Sequence, residues 1–311
     1  VHDKESGEYR LDGIDPLQIE ILTKRINEQV PINVSEPIIV YREKMTERGD
    51  EFHTKSPNGH NRLKMYLEPL DEKTVELIKK KRIYADQPAK ERAQVLRDEA
   101  DWDAKEARKI LDIYESCMLV DAMSGVQRFD RIYSYLETTF REFVDSGPIA
   151  HEPVMGVKVT LTDATVHTDP AHTGYNEVAT MTSSGLNMGF LTGIPGLYEP
   201  ILNVDIKTPT DTQGQVIKVL TSHRGQVITI EGEEEAVAVK GILPTAETIG
   251  IADEFRSATA GRSFFGYEFR GFEPVPSNLQ EEKILEIRKR KGMAEEMPNL
   301  SSWSRYVYRR T

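Results

Sequence analysis

Residues 147–174 read GPIAHEPVMGVKVTLTDATVHTDPAHTG, and this stretch decides the fold because it places a strand between a helix and a polar loop. The run VKVTL at 157–161 alternates apolar and polar residues, which predicts a strand with one buried face. Gly147-Pro148 ends an amphipathic helix predicted at 125–146. We expect this helix to pack on the strand. Its apolar face consists of Val126, Phe129, Tyr133, Leu136, Phe140 and Phe143.

The loop after the strand is polar and carries two turn dipeptides, DP at 169–170 and TG at 173–174. His167, Asp169 and His172 are therefore expected to project from a tight, exposed tip. Such residues can ligate zinc or another metal that activates water, but a third strong ligand is not evident. The loop can serve as a metal site, as a purely structural loop, or as a contact with a macromolecule. We favour the contact, because folds present such sites on polar loops held by rigid elements.

Residues 196–276 contain an internal repeat of strand, helix and strand. The first half runs LNVDIKT, TQGQVIKVLTSH and QVITIE, and the second runs AVAVKGIL, ETIGIADEFRSATA and SFFGYEFRG. Each helix opens on a Thr able to cap it and closes on a Gly suited to the left-handed position. Two such halves predict a ferredoxin-like βαββαβ sandwich.

Segments outside these two regions give weaker signals. Residues 17–29 have a strand-like start that runs into a short helix, and residues 32–42 read as a strand broken at Pro37. From 71 to about 114 the chain is rich in Lys, Glu, Arg, Ala and Leu, which predicts an exposed helical insertion without chemistry.

The C-terminal segment predicts a helix and an aromatic tail. The helix is expected to begin at Asn278, with Glu281 at the spacing of a capping box. Its basic end, 288–291, complements the helix dipole, and an RNA-binding patch is the alternative. The tail, which contains Trp303 and Tyr306, is expected to dock on a neighbouring domain, although it could instead stack on bases.

Composition excludes several classes of protein. The chain has 311 residues, of which 38% are hydrophobic and 29% charged, and no run is long enough to span a membrane. Its net charge of −11 argues against a simple basic nucleic-acid binder. Cys117 is the single cysteine, so an internal disulfide and a Cys-based zinc site are excluded and a buried thiol in a cytosolic protein is expected. The phosphate-binding loop and the usual hydrolase motifs are absent. The N-terminal segment is no signal peptide, and a start on Val suggests a fragment.

Several separated segments resemble archaeal elongation factor 2, the ribosomal translocase, in the same order along the chain. They are VSEPIIVYRE, KSPNGHNRL, EPVMGVKVTLTDATVHTDPAHTG, FLTGIPGLYEPI, LPTAE, FRSATAG, FEPVPSNL and RKRKGM. The resemblance implies an α+β chain that begins with part of a ferredoxin-like domain III in 1–45. A ribosomal-protein-S5-like domain IV with a helical insertion (46–195), a ferredoxin-like domain V (196–276) and a C-terminal helix and tail (277–311) follow.

The resemblance also implies the function and the site. Domain IV would reach the decoding site of the ribosome and promote GTP-dependent movement of tRNA and mRNA. It would contact rRNA and the tRNA–mRNA duplex at the A site through its tip loops. GTP and Mg would bind in a GTPase domain elsewhere in the parent protein. The chain would be cytoplasmic and monomeric, and it would not be an enzyme. It would bind no cofactor, no membrane and no small-molecule substrate. The implied tip residues are Ser56, Pro57, Asn58, Gly59, His60, Asn61, His167, Asp169, His172 and Gly174.

One departure from the family pattern lies in the tip. His172 matches the histidine that the family modifies to diphthamide, and the family then reads Arg-Gly, small residues and Gln. Here the chain reads HTGYNE from His172, so Thr173 replaces an Arg that could grip phosphate. Tyr175 adds bulk, and Glu177 is expected to repel RNA. The hypothesis is an unmodified His172 in a divergent or paralogous factor.

Three functions remain open on the residues alone. The first is the ribosome-binding arm of a translocase. The second is a scaffold in a ribonucleoprotein machine, similar to the spliceosomal relative of this family. The third is a metal-dependent hydrolase that uses His167, Asp169 and His172.

Overall fold

The structure is a computed structural model that describes residues 9, 11–14, 16–34, 38–232 and 235–310. The helices are α1 (Pro16–Gln29), α2 (Glu72–Lys79), α3 (Ala89–Ala100), α4 (Ala104–Arg108), α5 (Asp130–Asp145), α6 (Tyr175–Thr192), α7 (Gln213–Ser222), α8 (Ile251–Thr259) and α9 (Ser277–Arg290). The strands are β1 (Arg42–Met45), β2 (Phe52–Lys55), β3 (Arg62–Pro69), β4 (Ile110–Tyr114), β5 (Cys117–Asp121), β6 (Val157–Thr165), β7 (Pro195–Pro209), β8 (Gln226–Gly232), β9 (Ala236–Pro244), β10 (Phe264–Pro274) and β11 (Val307–Arg310).

The chain forms two compact units. One consists of residues within 1–41 and 199–273, and the other of 42–198 and 274–311. The C-terminal helix and tail thus belong to the same unit as the middle of the chain. The four-segment division by family domains stays a prediction.

The first unit has the predicted ferredoxin-like fold. Its strands lie in the order β10-β7-β9-β8, which is the fourth, first, third and second strand of a βαββαβ repeat. Helices α7 and α8 pack with the sheet around a core that includes Val204, Leu220 and Phe255. The mixed α+β class is confirmed.

Two local predictions for the first helix of this unit are wrong, whereas Gly261 after the second helix is left-handed as predicted (φ 75°). Thr212 makes no capping hydrogen bond to α7, because its hydroxyl donates back to the Pro209 carbonyl. The left-handed residue after α7 is Arg224 (φ 55°), whose guanidinium is held by Glu199 at 2.7 Å and Glu247 at 2.6 Å.

The N-terminal segment also differs from its prediction. The predicted strand-like start belongs to α1, which is helical from Pro16. Residues 31–34 and 38–41 form no strand, and Pro37 lies outside the described residues. The helix propensity of the following residues overrides the short apolar run at the start of α1.

The second unit is built on a six-stranded sheet in the order β11-β2-β3-β6-β5-β4. The strands β5 and β6 are parallel and the other neighbours are antiparallel. Helix α6 covers β2 and β3, and its Gly185 and Gly189 lie directly against Met65 and Leu67. Helix α5 packs mainly on α6 rather than on the predicted strand. Phe143 contacts Phe190 at a ring-centroid distance of 5.7 Å.

The helical insertion is packed rather than exposed. Leu77, Leu96 and Ala107 are buried in a core of their own that also includes Met118 and Val120 of β5. Since side chains alternate along a strand, these two residues lie on the sheet face opposite Leu119. The end of the insertion is strand β4 and not helix. The many charged residues of these helices are the reason why the sequence predicted an exposed insertion instead of this apolar face.

The basic end of α9 contacts residues 147–152 through part of its side chains, whereas Lys289, Arg290 and Lys291 are exposed. Arg288 is buried and donates to the Ile149 carbonyl at 2.8 Å. Lys291 pairs with Glu152 at 2.8 Å. The predicted solvated helix end is thus wrong for Arg288 alone, and the RNA-binding patch stays an alternative prediction. The predicted capping box is also wrong, because the helix begins at Ser277 without a side-chain cap.

The aromatic tail docks as predicted, but on the sheet of its own compact unit and not on a separate one. Strand β11 pairs antiparallel with β2 and forms one edge of the sheet. The Tyr308 ring meets His53 edge to face, with centroids 5.8 Å apart. The tail therefore completes the sheet next to the loop that begins at Ser56.

Candidate nucleic-acid interface

Two polar loops meet at one end of the six-stranded sheet. Residues 56–61 connect β2 to β3, and residues 166–174 connect β6 to α6. The start of β3 lies beside the end of β6, because Arg62 pairs with Thr165. The two loops are named the tip below.

The first loop closes on itself through two buried side chains. The Ser56 N–H donates to the Asn61 carbonyl at 3.0 Å, and the Asn61 N–H donates to the Ser56 hydroxyl at 3.0 Å. Gly59 adopts a φ of 74°, a left-handed conformation that glycine accepts without strain. Ser56 and Asn61 are both almost fully buried. They can shape the tip but cannot face a partner.

Hydrogen bonds join the first loop to the second. The side-chain amides of Asn58 and Asn61 both donate to the His172 carbonyl, at 3.0 and 2.8 Å. The His167 N–H donates to the Asn61 side-chain oxygen at 3.0 Å. The Asn58 N–H donates to the Glu177 carboxylate at 2.8 Å. The tip is thus one braced body rather than two independent loops.

The second loop is held by its own turn. Asp169 accepts the Ala171 N–H at 3.0 Å and caps a single 3-10 turn that spans Pro170–His172. The Asp169 N–H donates to His167 Nδ1 at 3.1 Å. From α5, Arg131 donates to the Thr168 carbonyl at 2.7 Å. These bonds keep His167 and His172 on one side of the turn.

Three imidazole rings form a cluster at the surface of the tip. The centroids of His60 and His167 are 4.7 Å apart, those of His60 and His172 4.5 Å, and those of His167 and His172 4.7 Å. His60 is exposed, and the other two are half-buried. The sequence predicted His167 and His172 as loop neighbours, but only the fold brings His60 to both.

The geometry gives no support to a metal site. Within the described residues, no three His, Cys, Asp or Glu side chains are placed to hold a metal ion together. The Asp169 carboxylate faces its own turn, and His167 Nδ1 already accepts a hydrogen bond. The structure thus offers no basis for the hydrolase alternative.

The predicted tip residues divide by exposure. Pro57, Gly59, His60, Asp169 and Gly174 are exposed, and Asn58, His167 and His172 are half-buried. Only the buried pair described above is withdrawn from the surface. Five of the ten residues are therefore open to a partner, three are partly accessible, and the two buried residues support the loops from inside.

The sequence analysis did not identify Arg131 as a support of the tip, and it did not predict the supporting bonds of Glu177 and Tyr175. Arg131 and Glu177 both bond to tip backbone, and the expected repulsion of RNA by Glu177 stays a prediction. The position of Glu177 in the first turn of α6 was the available signal. The Tyr175 hydroxyl donates to Glu142 at 2.9 Å, and this bond raises the pKa of Tyr175. These side chains brace the tip from α5 and α6.

Two further predictions concern the rest of the chain. Cys117 is fully buried, and burial raises the pKa of its thiol to about 12, as expected for an inert core cysteine. Each helix in the described part of the chain is too short or too polar to span a bilayer.

Comparison with known proteins places both units in one family. A family model described as elongation factor G, domain IV, matches residues 82–193, and one described as elongation factor G C-terminus matches residues 196–283. The chain is 40% identical over 300 residues to elongation factor 2 of Pyrobaculum islandicum, which covers 95% of this chain and 40% of that protein. It is 39% identical over 303 residues to elongation factor 2 of Sulfurisphaera tokodaii, with 96% and 41% covered. The chain spans about 40% of the length of these relatives.

Proposed function

The chain belongs to the elongation factor 2 family, and from this premise we propose that it is the C-terminal arm of a ribosomal translocase. In this proposal the tip enters the decoding site of the ribosome. There it contacts rRNA and the tRNA–mRNA duplex at the A site and favours their forward movement. The arm itself carries out no covalent chemistry.

The observation that supports this proposal most directly is the bracing of the tip. A contact that biases the movement of RNA must resist displacement, because a loose loop would yield instead of pushing. The His172 carbonyl is held by two buried or half-buried amides, and both belong to the opposite loop. The six-stranded sheet carries both loops, so a load on the tip is passed to a rigid element.

The surface chemistry of the tip is consistent with RNA recognition by shape and hydrogen bonding. Imidazole rings can stack on bases and can donate or accept hydrogen bonds. The exposed backbone at Gly59 and Gly174 lets a partner approach closely, since no side chain shields it. Because the chain is acidic overall, the contact has to be local rather than spread over a basic surface.

Other parts of the proposal concern the parent protein. GTP and Mg would act in a GTPase domain outside this chain, and hydrolysis there would change how the arm is oriented. We place the protein in the cytoplasm, as a monomer, because translation factors of this kind act there. No cofactor is proposed for the arm.

We further propose that His172 is unmodified. The family motif places an Arg after the modified histidine, whereas Thr173 follows it here, buried and bonded to the Pro170 carbonyl at 3.0 Å. Mass spectrometry of the native peptide that contains His172 tests this. A peptide of unmodified mass is expected, and an added diphthamide mass would refute it.

Co-sedimentation with archaeal ribosomes tests the proposed function. The chain is expected to pellet with ribosomes, and the double variant His167→Ala, His172→Ala is expected to bind at least ~5-fold more weakly, since a contact of 1 kcal/mol corresponds to that factor. His223→Ala, whose site lies in the other unit, is the matched control and should bind like the parent chain. Equal binding by all three proteins would refute a role for the tip.

A further inference from the structure

The first loop of the tip contains the one Asn-Gly dipeptide of the sequence, Asn58-Gly59. Proteins lose a side-chain amide most readily at such a dipeptide, because glycine has no side chain to keep its backbone nitrogen away from the neighbouring carboxamide. Gly59 is exposed, and a Cβ built on it would meet no atom within 4 Å. The dipeptide and its open position together mark Asn58 as a candidate modification site.

Hydrogen bonds hold the groups that deamidation would use. The Gly59 nitrogen would be the nucleophile, and its N–H donates to the Ser56 carbonyl at 2.8 Å. Asn58 Oδ1 accepts the Ser56 hydroxyl at 2.6 Å and the His60 N–H at 3.0 Å. Asn58 Nδ2 donates to the His172 carbonyl at 3.0 Å. The carboxamide is thus held on one side by its own loop and on the other by the second loop.

These hydrogen bonds have opposite effects on the reaction. The two donors to Oδ1 draw electrons from the Asn58 carboxamide, which favours attack on its carbon. The bond from Gly59 to Ser56 disfavours the attack, because the backbone nitrogen must first lose a proton that the carbonyl shields from hydroxide, as in amide hydrogen exchange. A planar amide bonded on both sides also resists the tetrahedral geometry that attack requires. The shielding prevails, since a polarised carbonyl cannot react without its nucleophile.

We propose that Asn58 is a deamidation site whose reaction is controlled by opening of the tip. In the open tip the Gly59 nitrogen attacks Asn58 Cγ, the new C–N bond closes a succinimide ring, and the Cγ–Nδ2 bond breaks. Ammonia leaves with the proton that the Gly59 nitrogen gives up. Water then opens the ring at either carbonyl and yields aspartate or isoaspartate. The net change is the uptake of water and the release of ammonia.

The product cannot restore the closed tip. A carboxylate at position 58 has no hydrogen to donate to the His172 carbonyl, and an oxygen would face that carbonyl instead. Its charge would also lie near that of Glu177, which accepts the Asn58 N–H at 2.8 Å, and two negative charges repel each other. Isoaspartate further adds a carbon to the backbone of the loop. An opening that leads to reaction is therefore irreversible, and this inference does not depend on what the tip contacts.

Peptide mass spectrometry tests the site and its control by the fold. The chain is kept at alkaline pH, and samples taken over days are digested briefly with trypsin at neutral pH. Cleavage after Lys55 and Arg62 yields one peptide that contains both Asn58 and Asn61. Conversion of Asn58 is expected to be at least about tenfold slower in the folded chain than in a synthetic copy of this peptide, because only the open tip reacts. Equal rates would overturn the control by the fold, and conversion of Asn61 as fast as that of Asn58 would overturn the assignment.

Two variants test whether the bracing of the tip sets the rate. Glu177→Ala removes the acceptor of the Asn58 N–H and should speed conversion of Asn58 at least about fivefold, since the loss of one hydrogen bond makes opening more frequent by about this factor. Glu286→Ala removes an exposed carboxylate of the same unit and should convert like the parent chain. Equal rates in Glu177→Ala and the parent chain would overturn the proposal. Tryptophan fluorescence spectra that match the parent chain confirm that the variants are folded.

Asn58→Asp tests the consequence of the reaction for the tip. Hydrogen–deuterium exchange of the second loop, residues 166–174, is expected to become at least about threefold faster than in the parent chain, because the bond to the His172 carbonyl is lost. Asn278→Asp, at an exposed position of α9 in the same unit, is the control and should leave this exchange unchanged. Exchange in Asn58→Asp equal to that of the parent chain would show that the product leaves the tip closed and would overturn the irreversible step.

Discussion

Replacement of the buried carboxylate of Glu43 is expected to change how the stability of the second unit depends on pH. Glu43 lies in β1 and is fully buried. Its oxygens accept N–H groups of Ile149 at 2.8 Å, Ala150 at 2.7 Å and Glu152 at 3.1 Å. Burial raises the pKa of Glu43 to about 7, although the three N–H donors act against this rise.

The sign and size of the effect follow from this pKa. The folded state holds the proton more tightly than the unfolded chain, whose reference pKa is 4.5. The stabilisation is therefore fully present below pH 4.5 and is lost as the pH rises through 7. Between pH 5 and pH 8 the loss amounts to about 2.5 kcal/mol, since each unit of pKa difference is worth about 1.4 kcal/mol.

The assay compares Glu43→Gln with the parent chain. Urea unfolding at pH 5, 6, 7 and 8 is followed by tryptophan fluorescence, because Trp102 and Trp303 both lie in the unit that contains Glu43. Gln cannot titrate, so the difference in unfolding free energy between the two proteins should shift by about 2.5 kcal/mol in favour of Gln from pH 5 to pH 8.

Glu286→Gln is the control, because it changes an exposed carboxylate of the same unit and should leave the pH profile of the parent chain unchanged. Parallel pH profiles for Glu43→Gln and the parent chain would show that the Glu43 carboxylate does not titrate in this range. The account of this buried cluster would then be wrong.

Further changes test other contacts. Asn61→Ala removes three side-chain hydrogen bonds of a buried residue. In urea unfolding this change should lower the unfolding free energy of the second unit by about 2–4 kcal/mol. A loss below about 0.5 kcal/mol would contradict the bracing of the tip. Gly147→Ala places a Cβ against the Glu43 carboxylate and should cost about 1–3 kcal/mol in the same assay, whereas Gly174→Ala, which meets no neighbouring atom, should cost less. Cys117 should resist a thiol reagent at pH 8 in the native chain and react in urea; rapid native labelling would contradict its burial.

The sequence predicted the elements whose signals are local. The alternation at 157–161 and the two turn dipeptides were sufficient for β6 and the tip loop. The repeat at 196–276 was sufficient for a ferredoxin-like unit, because each strand and helix repeats at the same spacing. Such patterns depend only on neighbours along the chain.

Contacts between distant segments could not be predicted in the same way. His60 meets His167 and His172 only because β3 pairs with β6, more than 90 residues later in the chain. Glu43 was not singled out, since a lone Glu in a short strand carries no sign of burial. The run at 288–291 looked like a solvated helix end, and only the fold showed that Arg288 reaches the Ile149 carbonyl.

The central claim is that the tip contacts RNA at the decoding site, and directed cleavage of rRNA tests it most directly. Gly174→Cys adds a thiol at an exposed position where a Cβ meets no atom within 4 Å, and Cys117 is too deeply buried to compete for the reagent. An iron chelate attached there generates hydroxyl radicals that cut nearby RNA. Gly214→Cys, equally open but in the other unit, is the control. We expect cuts at the A site of small-subunit rRNA from position 174 and none there from position 214. Ribosome-bound protein that gives no such cuts from position 174, or the same cuts from both positions, would contradict the claim.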